Sequence, residues 1–203
     1  MYVYYGTENP PGREHPWTVV ASNPDDKYVD FKLHPDKIPL VLLDFIPWSH
    51  YAAVQTFYSL LRWLNGADSV FESNDCGLRP PRQDPDTPVM IRSVFDADPI
   101  VMCSRLTIIF RDLVWNTSGP TVDGLKTAIH DGLRDKVPNF AASVEVGEWA
   151  HLFTAINREG RAVTLGFWAW GDDQAMAMAN LNSTFDAIHG CLRWISDGIK
   201  SRV

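Results

Sequence analysis

The C-terminal part of the chain constrains the fold most. SVEVGEWAHLFTAI and RAVTLGFWAW alternate apolar and polar residues around the turn sequence NREG, and the period then changes. Leu181, Phe185, Ile188, Leu192, Ile195 and Ile199 recur every three to four residues. A period of two belongs to a strand with one buried face, and a period near 3.6 to a helix with one apolar stripe. A hairpin followed by a long amphipathic helix must bury that stripe against a sheet. The pattern predicts one α+β domain over residues 1–203, a largely antiparallel twisted sheet of about seven or eight strands with about three helices on one face.

The same rules applied upstream predict further elements. WTVVAS and KYVDFKLH flank NPDD and read as a hairpin, and IPLVLLDFIPW reads as a third strand. Tyr51, Val54, Phe57, Tyr58, Leu61 and Leu64 form a helical stripe ended by Asn65-Gly66, and Val122, Leu125, Ile129 and Leu133 form another. Residues 76–88, with Pro80, Pro81, Pro85 and Pro88, read as a loop. VMIRSVF and IVMCSRLTIIFRDLVW read as strands around the turn DADP.

The three helices echo one another. TFYSLLRWL, AIHDGLRDK and AIHGCLRWI align without gaps, and Trp48, Trp115 and Trp170 precede them. Strand-strand-helix units, each strand ending in a tryptophan that covers a helix, are the architecture this implies.

Charge and cysteine usage narrow the function classes. The formal net charge is -7, from 18 Lys and Arg against 25 Asp and Glu, which repels a phosphate backbone and argues against a nucleic-acid partner. Cys76, Cys103 and Cys191 are widely spaced and form no CxxC, so three free thiols are expected, with neither disulfide nor zinc site. No basic leader or long apolar run is visible, which predicts a cytoplasmic location and no membrane association.

Catalytic signatures of the HExxH, GxSxG, P-loop and GxGxxG types are missing, so an enzyme is not the leading expectation, and no cofactor, metal or catalytic residue is assigned. Asp96 and Asp98 in FDADP read as turn residues rather than cation ligands. Cys76 would need a histidine partner to act as a nucleophile; His15, His34 and His50 lie near strand ends or a helix start, and His151 lies in a strand.

Two functions remain. The first is an immunity- or inhibitor-like protein that presents an acidic, tryptophan-bearing surface to a protein partner, a basic one being compatible with the charge. Trp168 and Trp170 share a strand face there, followed by Asp172 and Asp173. The alternative is a small-molecule enzyme or ligand-binding domain with a pocket between sheet and helices. His130 with Arg134 and His189 with Arg193, each pair on one helix face, would line it. A homodimer across an open sheet edge is compatible with either.

Overall fold

The computed structural model describes residues 1–6, 13–17, 28–134 and 141–202. In chain order it contains β1 (Tyr2–Tyr5), β2 (Arg13–His15), α1 (Ile38–Val41), α2 (Ala52–Asn65), β3 (Phe71–Gln83), α3 (Val89–Arg92), β4 (Ile100–Phe110), α4 (Gly119–Arg134), β5 (Ala142–Phe153), β6 (Arg158–Gly171) and α5 (Gln174–Lys200). The chain is α+β, with a mostly antiparallel open sheet of six strands among the described residues. Its order is β1-β5-β6-β4-β3; β2 also pairs with β5, and both β1 and β2 run parallel to it.

The long elements follow their periodicity. Every stripe residue of α5 is buried except the partly buried Ile199, and Asp173 caps its start by accepting from the Met176 amide at 2.8 Å. The helices α2, α4 and α5 share one core with Val163, Leu165 and Phe167 of β6 and Met102, Leu106 and Ile108 of β4. Each fully buried Leu or Phe there contributes about 2 kcal/mol. The echoed positions Leu61, Leu133 and Leu192 are all buried. Gly132 lets α4 approach α5, since a Cβ there would lie 2.8 Å from Cys191 Sγ.

Several sequence expectations are corrected. Residues 28–34, the second arm of the expected hairpin, form no strand, and 18–27 lie outside the described residues. IPLVLLDFIPW is not a strand: it forms α1 and the 3-10 turn Leu43–Trp48. Pro39 stands in the first turn of α1, where its missing N–H has no helical partner to lose. Residues 76–83 are not a loop: they extend β3, which tolerates Pro80 and Pro81 because it is an edge strand and the register shifts there between Arg79 and Arg82. VMIRSVF forms only the single turn α3, burying Ile91 and leaving Val89, Met90 and Val94 exposed. The β4 strand stops at Phe110, and Asp112 caps a 3-10 turn, Leu113–Thr117.

Of the three tryptophans only Trp170 ends a strand. Trp48 and Trp115 sit in 3-10 turns against the main core, whereas Trp170 packs on the opposite sheet face with Ile91, Val101 and Cys103. The three places are therefore not equivalent.

Candidate functional site

Alternation along the strands sends one set of side chains to the helices and the other to the uncovered face. Two segments close over the ends of that face. Residues 84–99 cover one end, where Ile91 and Phe95 pack on Val101 and Trp170, and the Trp170 indole donates to Asp84 at 2.7 Å. Residues 13–17 and 28–32 cover the other. A bay of about 340 Å³ remains between them, lined by residues that include Asp44, Gly77, Arg79, Arg105, Glu145, Gly147, Trp149, Thr164, Gly166 and Trp168.

The floor is made by small residues in register. Glu145, Gly166, Arg105 and Gly77 stand side by side, and next to them Gly147, Thr164, Thr107 and Asp75. Glycine inside a strand gives up packing, and here it recesses the floor. A Cβ at Gly147 would meet only the Thr164 carbonyl, at 3.8 Å. The Trp168 indole lies over Gly166, where a Cβ would come within 2.8 Å of the ring. The guanidinium carbons of Arg13 and Arg105 lie 4.5 and 5.4 Å from the Trp149 ring centre, and both side chains pair with one oxygen of Asp75, at 2.5 and 3.1 Å.

Beneath the N-terminal segment runs a buried polar chain. Lys32 Nζ donates to Glu72 Oε2 at 2.5 Å, and His15 Nε2 lies 3.2 Å from Glu72 Oε1. His15 Nδ1 meets Asn74 Oδ1 at 2.6 Å, Asn74 Nδ2 meets His151 Nε2 at 2.8 Å, and His151 Nδ1 meets the Trp149 carbonyl at 3.1 Å. Asn74 is the extra residue of a bulge in β3, at one sheet edge, while His15 belongs to β2 at the other. The twisted sheet thus brings its two edges within hydrogen-bond reach.

Counting protons fixes the state of this chain. His15 Nε2 faces a carboxylate and His151 Nδ1 faces a carbonyl, so both must donate. The Asn74 amide accepts at one end and donates at the other. With its oxygen on His15, the amide accepts from His15 Nδ1 and donates to His151 Nε2; turned over, it accepts from His151 Nε2 and donates to His15 Nδ1, and in either orientation three of the four ring nitrogens donate. Burial lowers the His151 pKa, which favours the first arrangement. Burial alone would raise Glu72, but hydrogen bonds from His15 and Lys32 hold it below the usual carboxylate range.

The residues singled out from the sequence are dispersed. Trp168 is half-buried and lines the bay, Trp170 is buried on the same face, and Asp172 and Asp173 are exposed, with Asp173 engaged as the cap of α5. His130 stacks on Tyr5 of β1 at 4.3 Å between ring centres, whereas His189 lies against Trp63 of α2 at 5.3 Å. Arg134 and Arg193 are exposed. The two His/Arg pairs therefore face different neighbours, and the main core fills the space between sheet and helices. Asp98 pairs with Arg92, and no cluster of metal-ligating side chains occurs among the described residues. No helix among these residues is long and apolar enough to cross a membrane.

The cysteines are free thiols, with Cys103 and Cys191 buried and Cys76 half-buried. Burial, with Asp75 beside it, pushes the Cys76 thiol up, and burial also raises Cys103. A thiol reagent should modify all three cysteines in denatured, unreduced protein and almost none in the native protein over the same minutes. Rapid native labelling of Cys76 would show that it is an accessible thiolate.

The sequence signal for the bay is the strand glycines Gly77, Gly147 and Gly166. Compared with protein-family models, curated proteins and solved structures, the chain shows no match, so the bay has to be interpreted from its own chemistry.

Proposed function

We propose that this chain is a small-ligand-binding protein whose ligand occupies the bay on the uncovered sheet face. The observation that carries this reading is the recessed floor. Glycines from three different strands leave a space between two indoles, at a volume within the range of small-molecule sites, roughly 300 to 1,000 Å³. Arginine and carboxylate side chains at its rim supply orientation. The partner-surface reading has less support: Trp170 is buried and Asp173 is engaged as a helix cap, which leaves Asp172 and part of Trp168 for a protein partner.

Filling the bay tests the proposal. Gly147→Leu introduces a side chain where the nearest neighbour of its Cβ is 3.8 Å away, so the fold should tolerate it. A panel of sugars, amino acids, carboxylates and nucleosides would be screened by thermal melting and tryptophan fluorescence. At least one compound should raise the melting midpoint of the unsubstituted protein and leave Gly147→Leu unchanged. A panel without effect on the unsubstituted protein, or a shift that persists in a folded Gly147→Leu variant, would defeat the proposal.

A further inference from the structure

We infer that the bay selects an uncharged, polyhydroxylated ring of monosaccharide size; this inference rests on the ligand-binding reading above. The charges that line the bay cancel. Arg79 and Arg105 face Asp44 and Glu145, and the rim pair Arg13 and Asp75 also sums to zero. A phosphorylated ligand would need an excess of positive charge or a helix N-terminus. The long helices lie on the opposite face of the sheet. A cationic ligand would need the opposite excess.

What remains is an alternation of donors and acceptors. The point where a Cβ of Gly77 would stand is 3.7 Å from Asp44 Oδ2 and 3.8 Å from Arg105 Nη2, so a ligand edge above Gly77 meets a carboxylate and a guanidinium together. Two neighbouring hydroxyls satisfy both, one donating to Asp44 and the other accepting from Arg105. On the floor the Thr107 and Thr164 hydroxyls bond each other at 3.0 Å. The half-buried Trp168 indole offers a flat apolar surface, which suits the C–H face of a sugar ring in its chair form.

The test is titration of the unmodified protein with glucose, galactose, mannose and xylose, followed by tryptophan fluorescence and calorimetry. Glucose 6-phosphate and inorganic phosphate serve as anionic competitors and phenylalanine as a zwitterionic one, each at low and high salt. At least one neutral sugar should bind with an affinity that salt changes less than about twofold, because no net charge is neutralised. Its phosphorylated form should bind about tenfold more weakly. Asp44→Asn and Trp168→Leu, each checked for an intact fold by circular dichroism, should each weaken the sugar about tenfold or more, the loss expected when a hydrogen-bonding or apolar partner of the ligand is removed. If only phenylalanine or a phosphorylated compound binds, and Gly147→Leu abolishes it, the ligand class is wrong while the bay reading stands. If nothing binds, both fail.

Discussion

Replacing Asn74 with leucine is expected to destabilise the protein by about 2 to 5 kcal/mol, the scale for leaving two buried hydrogen-bonding groups without partners. Asn74 is 4% exposed and its side chain bonds two histidines that are 5% and 2% exposed, while its backbone carbonyl, which leucine keeps, accepts from the Trp17 indole at 2.9 Å. Leucine has the same heavy-atom branching as asparagine but no polar atoms and larger end groups, so lost hydrogen bonds and some overpacking both contribute to the cost. His15 Nδ1 and His151 Nε2 would each lose the partner that the Asn74 amide supplies. The loss falls on the junction between the two sheet edges, so the N-terminal segment should be released as well. Urea unfolding would measure the first effect, and faster amide exchange in residues 13–17 the second. A cost below about 1 kcal/mol would show that the chain of hydrogen bonds is not what ties the edges together.

A second substitution at the same place tests the proton count itself. Aspartate accepts at both ends, so Asn74→Asp requires donation from His15 Nδ1 and from His151 Nε2, four protons where the asparagine needs three. Relative to the unsubstituted protein, the urea midpoint of Asn74→Asp should rise as the pH is lowered from 8 to about 5.5, through the range where histidines take up protons. A parallel pH profile for the two proteins would refute the count.

The parts of this structure that the sequence makes legible are those decided locally. The helices α2, α4 and α5 and the β5-β6 hairpin carry enough periods to identify themselves, and Asp173 sits where a cap is expected. The β3 strand is illegible because its pairing with β4 is nonlocal and Pro80 and Pro81 are admitted only by its position at an edge, which no local pattern states. The polar chain is harder still. His15, Lys32, Glu72, Asn74 and His151 come from separate segments, and each alone is an unremarkable polar residue. Their meeting follows from the twist of the whole sheet. The bay lies between these two cases: its glycines are visible in the sequence, but which face they open depends on where the helices pack.

Acid should weaken the protein in two separate stages, and the sign of each follows from its pKa direction. Burial lowers the His151 pKa in the folded state, while in the unfolded chain the ring titrates near its ordinary value of about 6.5. Above that pH neither state holds the proton, and the contribution to stability is complete. As the pH falls through 6.5 the unfolded chain takes up a proton that the folded chain refuses, so stability drops by up to about 1.4 kcal/mol per pH unit for this one group. His189, lowered by burial and by Arg193, acts in the same direction. The second stage belongs to Glu72 and Glu148, whose carboxylates are held below the usual range by Lys and Arg partners, and by His15 at Glu72, against the effect of burial. Their contribution is complete above the ordinary glutamate value of about 4.5 and is lost as the pH falls through the lowered folded values. Urea midpoints between pH 8 and pH 3 should therefore decline first below about 6.5 and again below about 4.5. His151→Gln separates the stages, because a glutamine amide can accept from Asn74 and donate to the Trp149 carbonyl without titrating. The variant should lose a large part of the first decline and retain the second. An unchanged first decline would move its origin away from His151 and leave the buried chain of hydrogen bonds without a role in the acid response.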